Sequence, residues 1–377
     1  MKRIYFILFL SIVFCINSAI GAQWFASPSG TNGASCTIDN PGTIQACVDK
    51  AVNGTAWSNG CSVILLSGTY DYSDTIWSGK NCVLIPKNKN YITIKSMSGN
   101  PEDVVIRGRG IETFISDDLS VTNAPFFSRA LYSNSIVGLD GITFTNFYFN
   151  QEASVASSAS ARHIYISNCI IAGNHGAGVP AVYRPAVITG SLFLGNENVG
   201  GRGGAINCAR SALYVTNSVF ACNRSTYSAV AENVIGEFVN CIVSNNSATV
   251  ENGAFSGGDG VLTFENCHIV RNCSAKIGFA YFRRGIFTNC VVEANCATNS
   301  DYGAFYTYAG WVNCYNTTFM NNWATNRYGI GGPASAYNCL VSGNSAYLGD
   351  AGGFYLSTGT IADCVFTNNY SGATGGA

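Results

Sequence analysis

The dipeptide Asn-Cys returns along the second half of this chain at a nearly constant interval. It stands at Asn168-Cys169, Asn240-Cys241, Asn266-Cys267, Asn289-Cys290 and Asn338-Cys339, and Gly190-Ser191, Asn217-Ser218, Asn316-Thr317 and Asp363-Cys364 fill the gaps. With the second residue of each pair as position zero, the zeros fall at 169, 191, 218, 241, 267, 290, 317, 339 and 364. Their mean spacing is about 24 residues, a period that marks a repeat architecture. Two residues after zero the side chain is apolar every time, from Ile171, Phe193 and Phe220 through Phe319, Val341 and Phe366. Three before zero stand Ile166, Ile188, Val215, Phe238, Phe264, Phe287, Cys314, Ala336 and Ile361. Five after zero every coil has asparagine, from Asn174 and Asn196 to Asn344 and Asn369.

This pattern selects one architecture. Short alternating stretches of Val, Ile and Phe are strands, and the Gly and Asn between them are turns. A repeat of this length is too short for a pair of helices and fits one coil of a right-handed parallel β-helix. Stacked coils put equivalent residues about 4.8 Å apart, so like side chains form ladders. Asparagine before zero suits a tight corner because it tolerates the left-handed backbone region, and its amide can satisfy buried backbone groups. Asn240, Asn266 and Asn289 are therefore expected to stack inside one corner. The cysteines at zero are expected to pack as a small apolar ladder of thiols. Earlier coils are less regular: Val63–Leu66, Val83–Pro86, Tyr91–Lys95 and Val104–Arg107 read as strands, and Asp140–Asn146 as a degenerate repeat. Upstream, Ile44, Cys47, Val48 and Ala51 have helical spacing, which suits an amphipathic cap over an open coil.

The first 21 residues read as a signal peptide. Lys2 and Arg3 precede the apolar run Tyr5–Phe14, and Ala19 and Gly21 suit cleavage after Gly21, with Ala22 as the alternative. The domain reading is thus 1–21 signal peptide, 22–61 N-terminal cap, and 62–377 β-helix with regular coils from about 140. No later segment is apolar and long enough to cross a bilayer as a helix. An extracellular or cell-surface location, associated with the outer membrane, is expected. Charged residues are 11% of the chain and the net charge is −1. Nucleic acid is excluded as a partner, because binding it needs clustered Lys and Arg. Hydrophobic residues at 47% can fill a core, so the low charge does not mean disorder. The chain closes on Gly375-Gly-Ala377, the phrase that opens a coil at Gly203-Gly-Ala205, so further coils and an anchor are expected beyond it.

Gly203-Gly-Ala-Ile206, with the variants Gly303-Ala-Phe305 and Gly352-Gly-Phe354, and the phrases Phe193-Leu-Gly-Asn196, Phe220-Ala-Cys-Asn223, Phe319-Met-Asn-Asn322 and Phe366-Thr-Asn-Asn369, resemble the GGA[I/L/V] and FxxN repeats of polymorphic outer-membrane proteins. The resemblance covers residues 140–377. It implies a surface-displayed autotransporter passenger acting in adhesion. Only one repeat carries the full GGAI, and no β-barrel segment follows within this sequence. Ser27-Pro-Ser-Gly30, Thr43-Ile-Gln-Ala46 and Gly68-Thr-Tyr70 resemble the opening of pectate-lyase-like β-helix proteins.

Catalysis on such a scaffold needs outward carboxylates with a basic partner, or a paired acid and base. The candidate catalytic groups are Asp259, Arg283 and Arg284, with Asp259 expected beside Arg283 across one coil; a turn ion pair is the plainer reading. Asp117-Asp118 offers an acidic pair without a basic motif after it. His175, in Gly173-Asn-His-Gly176, reads as polar surface in a turn, while His163 and His268 have no carboxylate or cysteine spacing around them that would hold a metal, and no cofactor is indicated. The stretch Tyr302, Phe305, Tyr306, Tyr308, Trp311 and Tyr315 can stack on sugar rings with its outward members, or serve as ordinary strand residues. The leading expectation is therefore a non-catalytic exported scaffold that binds carbohydrate or a host or cell-surface ligand. The alternative is a polysaccharide lyase or glycoside hydrolase. Fifteen cysteines follow the signal. Cys273 and Cys296 should be neighbours in adjacent coils, but coil spacing exceeds the ideal Cβ separation of about 3.8 Å. A strained disulfide is one reading of that pair and stacked thiols the favoured one, with any true disulfide near Cys36, Cys47 and Cys61 at the cap.

Overall fold

The computed structural model describes residues 22–373, apart from 54–60, 73–79, 87–90, 109–127, 134, 150–152, 159–163, 179, 210, 300–301, 333–334 and 356–358. The signal segment, Asp117-Asp118, His163 and Gly375–Ala377 lie outside these residues.

The chain winds as a right-handed parallel β-helix. Among the described residues one wall is a twelve-stranded sheet. Its three-residue strands follow each zero: Ile170–Ala172 pairs with Leu192–Leu194, then Val219–Ala221, Ile242–Ser244 and onward to Val365–Thr367. The remaining strands join in a second sheet that wraps the other walls. Among the described residues the pairings are parallel, apart from one antiparallel contact between Tyr148 and Ser128. The residues two after zero stand in register along the whole stack, Ile171 on Phe193 on Phe220 on Val243, and all but Phe366 are buried. The column three before zero is equally aligned, Ile166 on Ile188 on Val215 on Phe238 on Phe264 on Phe287. Stacking follows from that register: the Phe193 and Phe220 rings are 4.9 Å apart, and those of Phe264 and Phe287 5.3 Å.

Two asparagine ladders run up the stack, and the one expected inside a corner lies outside. Asn240, Asn266 and Asn289 do stack at a left-handed corner, with φ of 54°, 52° and 54°. Their amides bond each other at 3.2 and 3.3 Å, but on the exposed surface rather than inside. The interior ladder is the column five after zero. Asn246 is fully buried. Its Nδ2 donates to the Phe220 carbonyl at 2.9 Å and to Asn272 Oδ1 at 2.9 Å, and its Oδ1 accepts from the Asn223 backbone N–H at 2.9 Å. The reason is geometric. The outer corner leaves its backbone groups to the sheet ladder, whereas the inner turn lacks strand partners and needs a side chain that both donates and accepts.

Position zero also differs from expectation. Its cysteines are buried, apart from half-buried Cys364, as a packed ladder requires, yet they act as donors. Cys241 Sγ reaches the Val239 carbonyl at 3.3 Å, Cys267 that of Glu265 at 3.3 Å, and Cys290 that of Thr288 at 3.3 Å. Ser191, Ser218 and Thr317 donate to the carbonyl two residues upstream in the same way, at 2.8, 2.8 and 2.9 Å. The column thus selects a small donor, which explains why Cys, Ser and Thr interchange in it.

A third column holds glycine for want of room. A Cβ on Gly278 would lie 1.9 Å from the Gly303 carbonyl oxygen, and one on Gly253 would lie 1.8 Å from that of Gly278. These glycines let successive backbones stack where the coil turns inward ahead of Ala254, Phe279 and Ala304, all fully buried.

At the N-terminal end, strand Ala22–Thr31 pairs in parallel with Cys61–Leu65. Helix α1, Ile44–Asn53, lies beside it and buries Ile44, Ala46, Cys47, Val48 and Ala51, the face its spacing indicates. Thr43 caps it, its Oγ1 accepting from the Ala46 N–H at 3.2 Å. Among the described residues no helix is long and apolar enough to cross a membrane.

Candidate functional site

A cleft of about 400 Å³ opens on the outer wall of the middle coils. Two registers build it. Asn252, Ile277 and Tyr302 bridge one another at a corner, and Ser256, Tyr281 and Tyr306 pair along the adjoining strands. Because both columns step together from coil to coil, the polar end (Asn252, Ser256) leads into an aromatic end. Tyr306 stacks on Tyr302 with ring centroids 4.3 Å apart, and Tyr281 lies 5.9 Å from Tyr306. Tyr328 and Tyr355 extend the stack beyond the cleft, 4.2 Å apart. Tyr302 is buried and its hydroxyl is pushed well above its ordinary value by that burial, so it stays a neutral phenol. Phe305, between Tyr302 and Tyr306 in the chain, points into the core. Tyr315 stacks on Tyr337 on another part of the surface, so the aromatic stretch does not converge on one site.

The charged rim comes from Arg202 in an earlier coil and from Glu251 and Lys276, just ahead of Asn252 and Ile277. Arg202, Glu251 and Lys276 line the cleft. Arg202 is anchored from below: Glu232, almost fully buried, holds its Nη1 at 2.9 Å and accepts from Ser228 Oγ at 2.8 Å. The guanidinium lies 4.8 Å over the Tyr227 ring, and the Glu232 hydrogen bond holds it above its ordinary value. A buried carboxylate is retained only with such partners. Sequence reasoning misses Arg202, Glu232, Glu251 and Tyr281. Counting from zero aligns residues only up to the first insertion, and Tyr281 stands nine before its zero while its partner Tyr306 stands eleven before. The short insertions that break the count also shape the cleft.

Asp259, Arg283 and Arg284 meet on a different patch. The register shifts between Ser256 and Val261, and again between Phe282 and Arg284, and these bulges throw the side chains outward. Asp259 Oδ1 lies 3.0 Å from Arg283 Nη1, with both side chains more than half exposed, and Arg284 donates to the Asp259 carbonyl oxygen. Each group is therefore already engaged by another of the three. Two of the histidines meet a carboxylate across coils rather than along the chain. Glu197 Oε2 is 3.3 Å from His175 Nδ1, and Glu293 Oε2 is 3.7 Å from His268 Nε2; both come from the next coil, Glu197 directly in register with His175 and Glu293 two positions along from the partner of His268. Neither pair gathers a third ligand, and among the described residues no group of three or more ligating side chains occurs.

Cys273 and Cys296, in register on adjacent strands, are joined by a disulfide with Cα atoms 4.7 Å apart. The expectation of stacked thiols is corrected here. Coil spacing must be compared with the Cα separation a disulfide accepts, about 4.4 to 6.8 Å, and it falls within that range. Cys36, Cys47 and Cys61 are thiols.

The chain is thus a parallel β-helix carrying an aromatic cleft with a charged rim. No family model matches it. No curated protein sequence matches it either. Solved structures that share the architecture include a rhamnogalacturonan lyase, at 10% identity and TM-score 0.37, covering 90% of this chain and 84% of that one. The A-module of a mannuronan C-5 epimerase from Azotobacter vinelandii is 12% identical with TM-score 0.36, over 86% and 90%. Pectate lyase Pel9A is 13% identical with TM-score 0.33, over 95% and 78%. The likeness goes no further than the parallel β-helix that the strand pairings themselves define.

Proposed function

We propose that this chain is an exported, non-catalytic scaffold that binds a neutral glycan in the Tyr281–Tyr306 cleft. One observation carries the reading: a stacked pair of tyrosines beside hydrogen-bonding Asn252 and Ser256. Aromatic faces take the C–H faces of a sugar ring, while a few placed polar groups fix its hydroxyls. The rim balances itself, Arg202 and Lys276 against Glu232 and Glu251, so it offers no net attraction to an acidic chain. The signal-like leader supports export. The likeness of the repeats to polymorphic outer-membrane proteins supports display at the cell surface and a role in adhesion. The other reading, a polysaccharide lyase or glycoside hydrolase, would rest on Asp259, Arg283 and Arg284. A hydrolase needs two carboxyls flanking the bond, and Asp259 is committed to an arginine.

Glycan arrays and calorimetry on the mature chain test the proposal. Neutral oligosaccharides should bind, and Tyr306→Ala, with its fold intact by circular dichroism, should weaken binding by roughly tenfold or more, about 1.4 kcal/mol. Binding confined to acidic glycans, binding unchanged in Tyr306→Ala, or release of shortened glycans that Asp259→Asn abolishes would each overturn it.

A further inference from the structure

The segment from Thr31 to Gly42 folds back over the first coil and ends at α1. Its centre is held in an unfavourable backbone conformation: Cys36 has φ of 60°, a region that costs a residue with a side chain about 1 kcal/mol or more. Such a conformation persists only where its surroundings fix it. What fixes it is visible. The Cys36 carbonyl accepts from the Phe25 N–H at 2.8 Å, Thr43 Oγ1 donates to Asn32 Oδ1 at 2.7 Å, and Gly42 bridges both Ala26 and Thr31. The consequence of that geometry is that Cys36 Sγ turns inward to face Cys47 Sγ on the buried side of α1.

Three observations place the two sulfurs together. Both residues are buried, at 1% and 0% exposure, within one cluster. The Cys36 thiol is near enough to raise the Cys47 thiol beyond what burial does alone. Gly42 leaves the space between them: a Cβ there would lie 2.6 Å from Cys36 Sγ and 3.3 Å from Cys47 Sγ, so any larger residue at 42 would push the pair apart. Cys61 is a buried thiol in the same core, but no such contact joins it to either. Cys47 also donates to the Phe25 carbonyl at 3.1 Å, which ties the pair to the first strand.

We propose that Cys36 and Cys47 are a disulfide-forming pair that fastens the Thr31–Gly42 segment to α1. With oxidised glutathione as oxidant, the Cys47 thiolate attacks one glutathione sulfur and one glutathione leaves as a thiol. The deprotonated Cys36 then attacks the Cys47 sulfur of the mixed disulfide, and the second glutathione leaves. The protein gives up two protons and two electrons, and one glutathione disulfide becomes two thiols. Burial holds the Cys47 thiol well above its ordinary value, which starves the folded state of thiolate. The bond therefore forms while the segment is open, during folding or a local opening, and is slow to break once the segment has closed.

The test uses the full mature chain, refolded in a buffer of reduced and oxidised glutathione. After trapping with an alkylating reagent, non-reducing peptide mapping should show Cys36 linked to Cys47 as well as Cys273 linked to Cys296. Cleavage within 32–42 by a protease should slow at least tenfold on oxidation, and Cys36→Ser should abolish that protection while leaving the Cys273–Cys296 peptide in place. Recovery of Cys36 and Cys47 as alkylated thiols in a chain whose Cys273–Cys296 bond has formed would overturn the proposal. So would a bond from either residue to Cys61.

Discussion

A single asparagine does different work on the two sides of a coil. Asn246 closes hydrogen bonds to two backbones and two side chains from within the core. Leucine in its place would strand the Phe220 carbonyl and the Asn223 N–H, at about 1 to 3 kcal/mol for each buried group. Asn266 bonds only the side chains above and below it, in solvent. For Asn266→Leu the cost is the left-handed backbone, about 1 to 2 kcal/mol, and Asn266→Gly should be near neutral. Urea denaturation of the three variants checks the order. Asn246→Leu should lose the most by at least about 2 kcal/mol, and equal losses for the two leucine variants would show that the interior ladder is dispensable.

At the scale of the element, the coil is held by what it leaves out as much as by what it packs. The glycine column admits the carbonyl of the next coil, so Gly278→Ala forces two backbones apart. Overpacking of this kind costs about 1 to 3 kcal/mol, and the melting temperature should fall by several degrees; an unchanged melting temperature would mean that the stack yields there without strain. The strands, the period, the phenylalanine ladder and the helical face of α1 are all legible in the sequence, because each depends on a period of two, of 3.6 or of one coil. The glycine column shows only partly, in Gly203-Gly-Ala205, Gly303 and Gly352, since its offset from zero drifts with every inserted residue. The cleft is hidden for the same reason. Tyr302 and Tyr306 stand out as aromatics, but Tyr281, Arg202 and Glu232 join them only through register, and register is set by bulges that leave no fixed spacing. The column before zero admits Gly190 and Asp363 while the column five after is asparagine in every coil, yet neither pattern fixes a side, and only the winding decides which faces inward.

For the molecule as a whole, the thiols along the axis tie stability to pH. Burial pushes Cys61 and Cys169 up to about 12 from an ordinary value of 9.0. The neutral thiol is favoured in the folded chain, while the unfolded chain gives up its proton near 9. Their contribution is therefore whole below pH 9 and drains away between 9 and about 12. The melting temperature should hold between about pH 7 and 8.5 and fall at about 10.5. Cys169→Ala should show a smaller fall than the parent, and parallel falls would remove Cys169 from the account. The two asparagine files have a further property that belongs to the full length of the stack. Inside, every amide gives one N–H to the next asparagine toward the C-terminal end, from Asn174 to Asn196 and on to Asn344 and Asn369. Outside, from Asn338 back to Asn217, every amide points the other way. Each file is a chain of aligned dipoles, and such chains strengthen their own members. The two run antiparallel through the same coils, so their fields oppose along the axis, and a solenoid built from one repeated turn avoids the charged poles that a single file of like length would create.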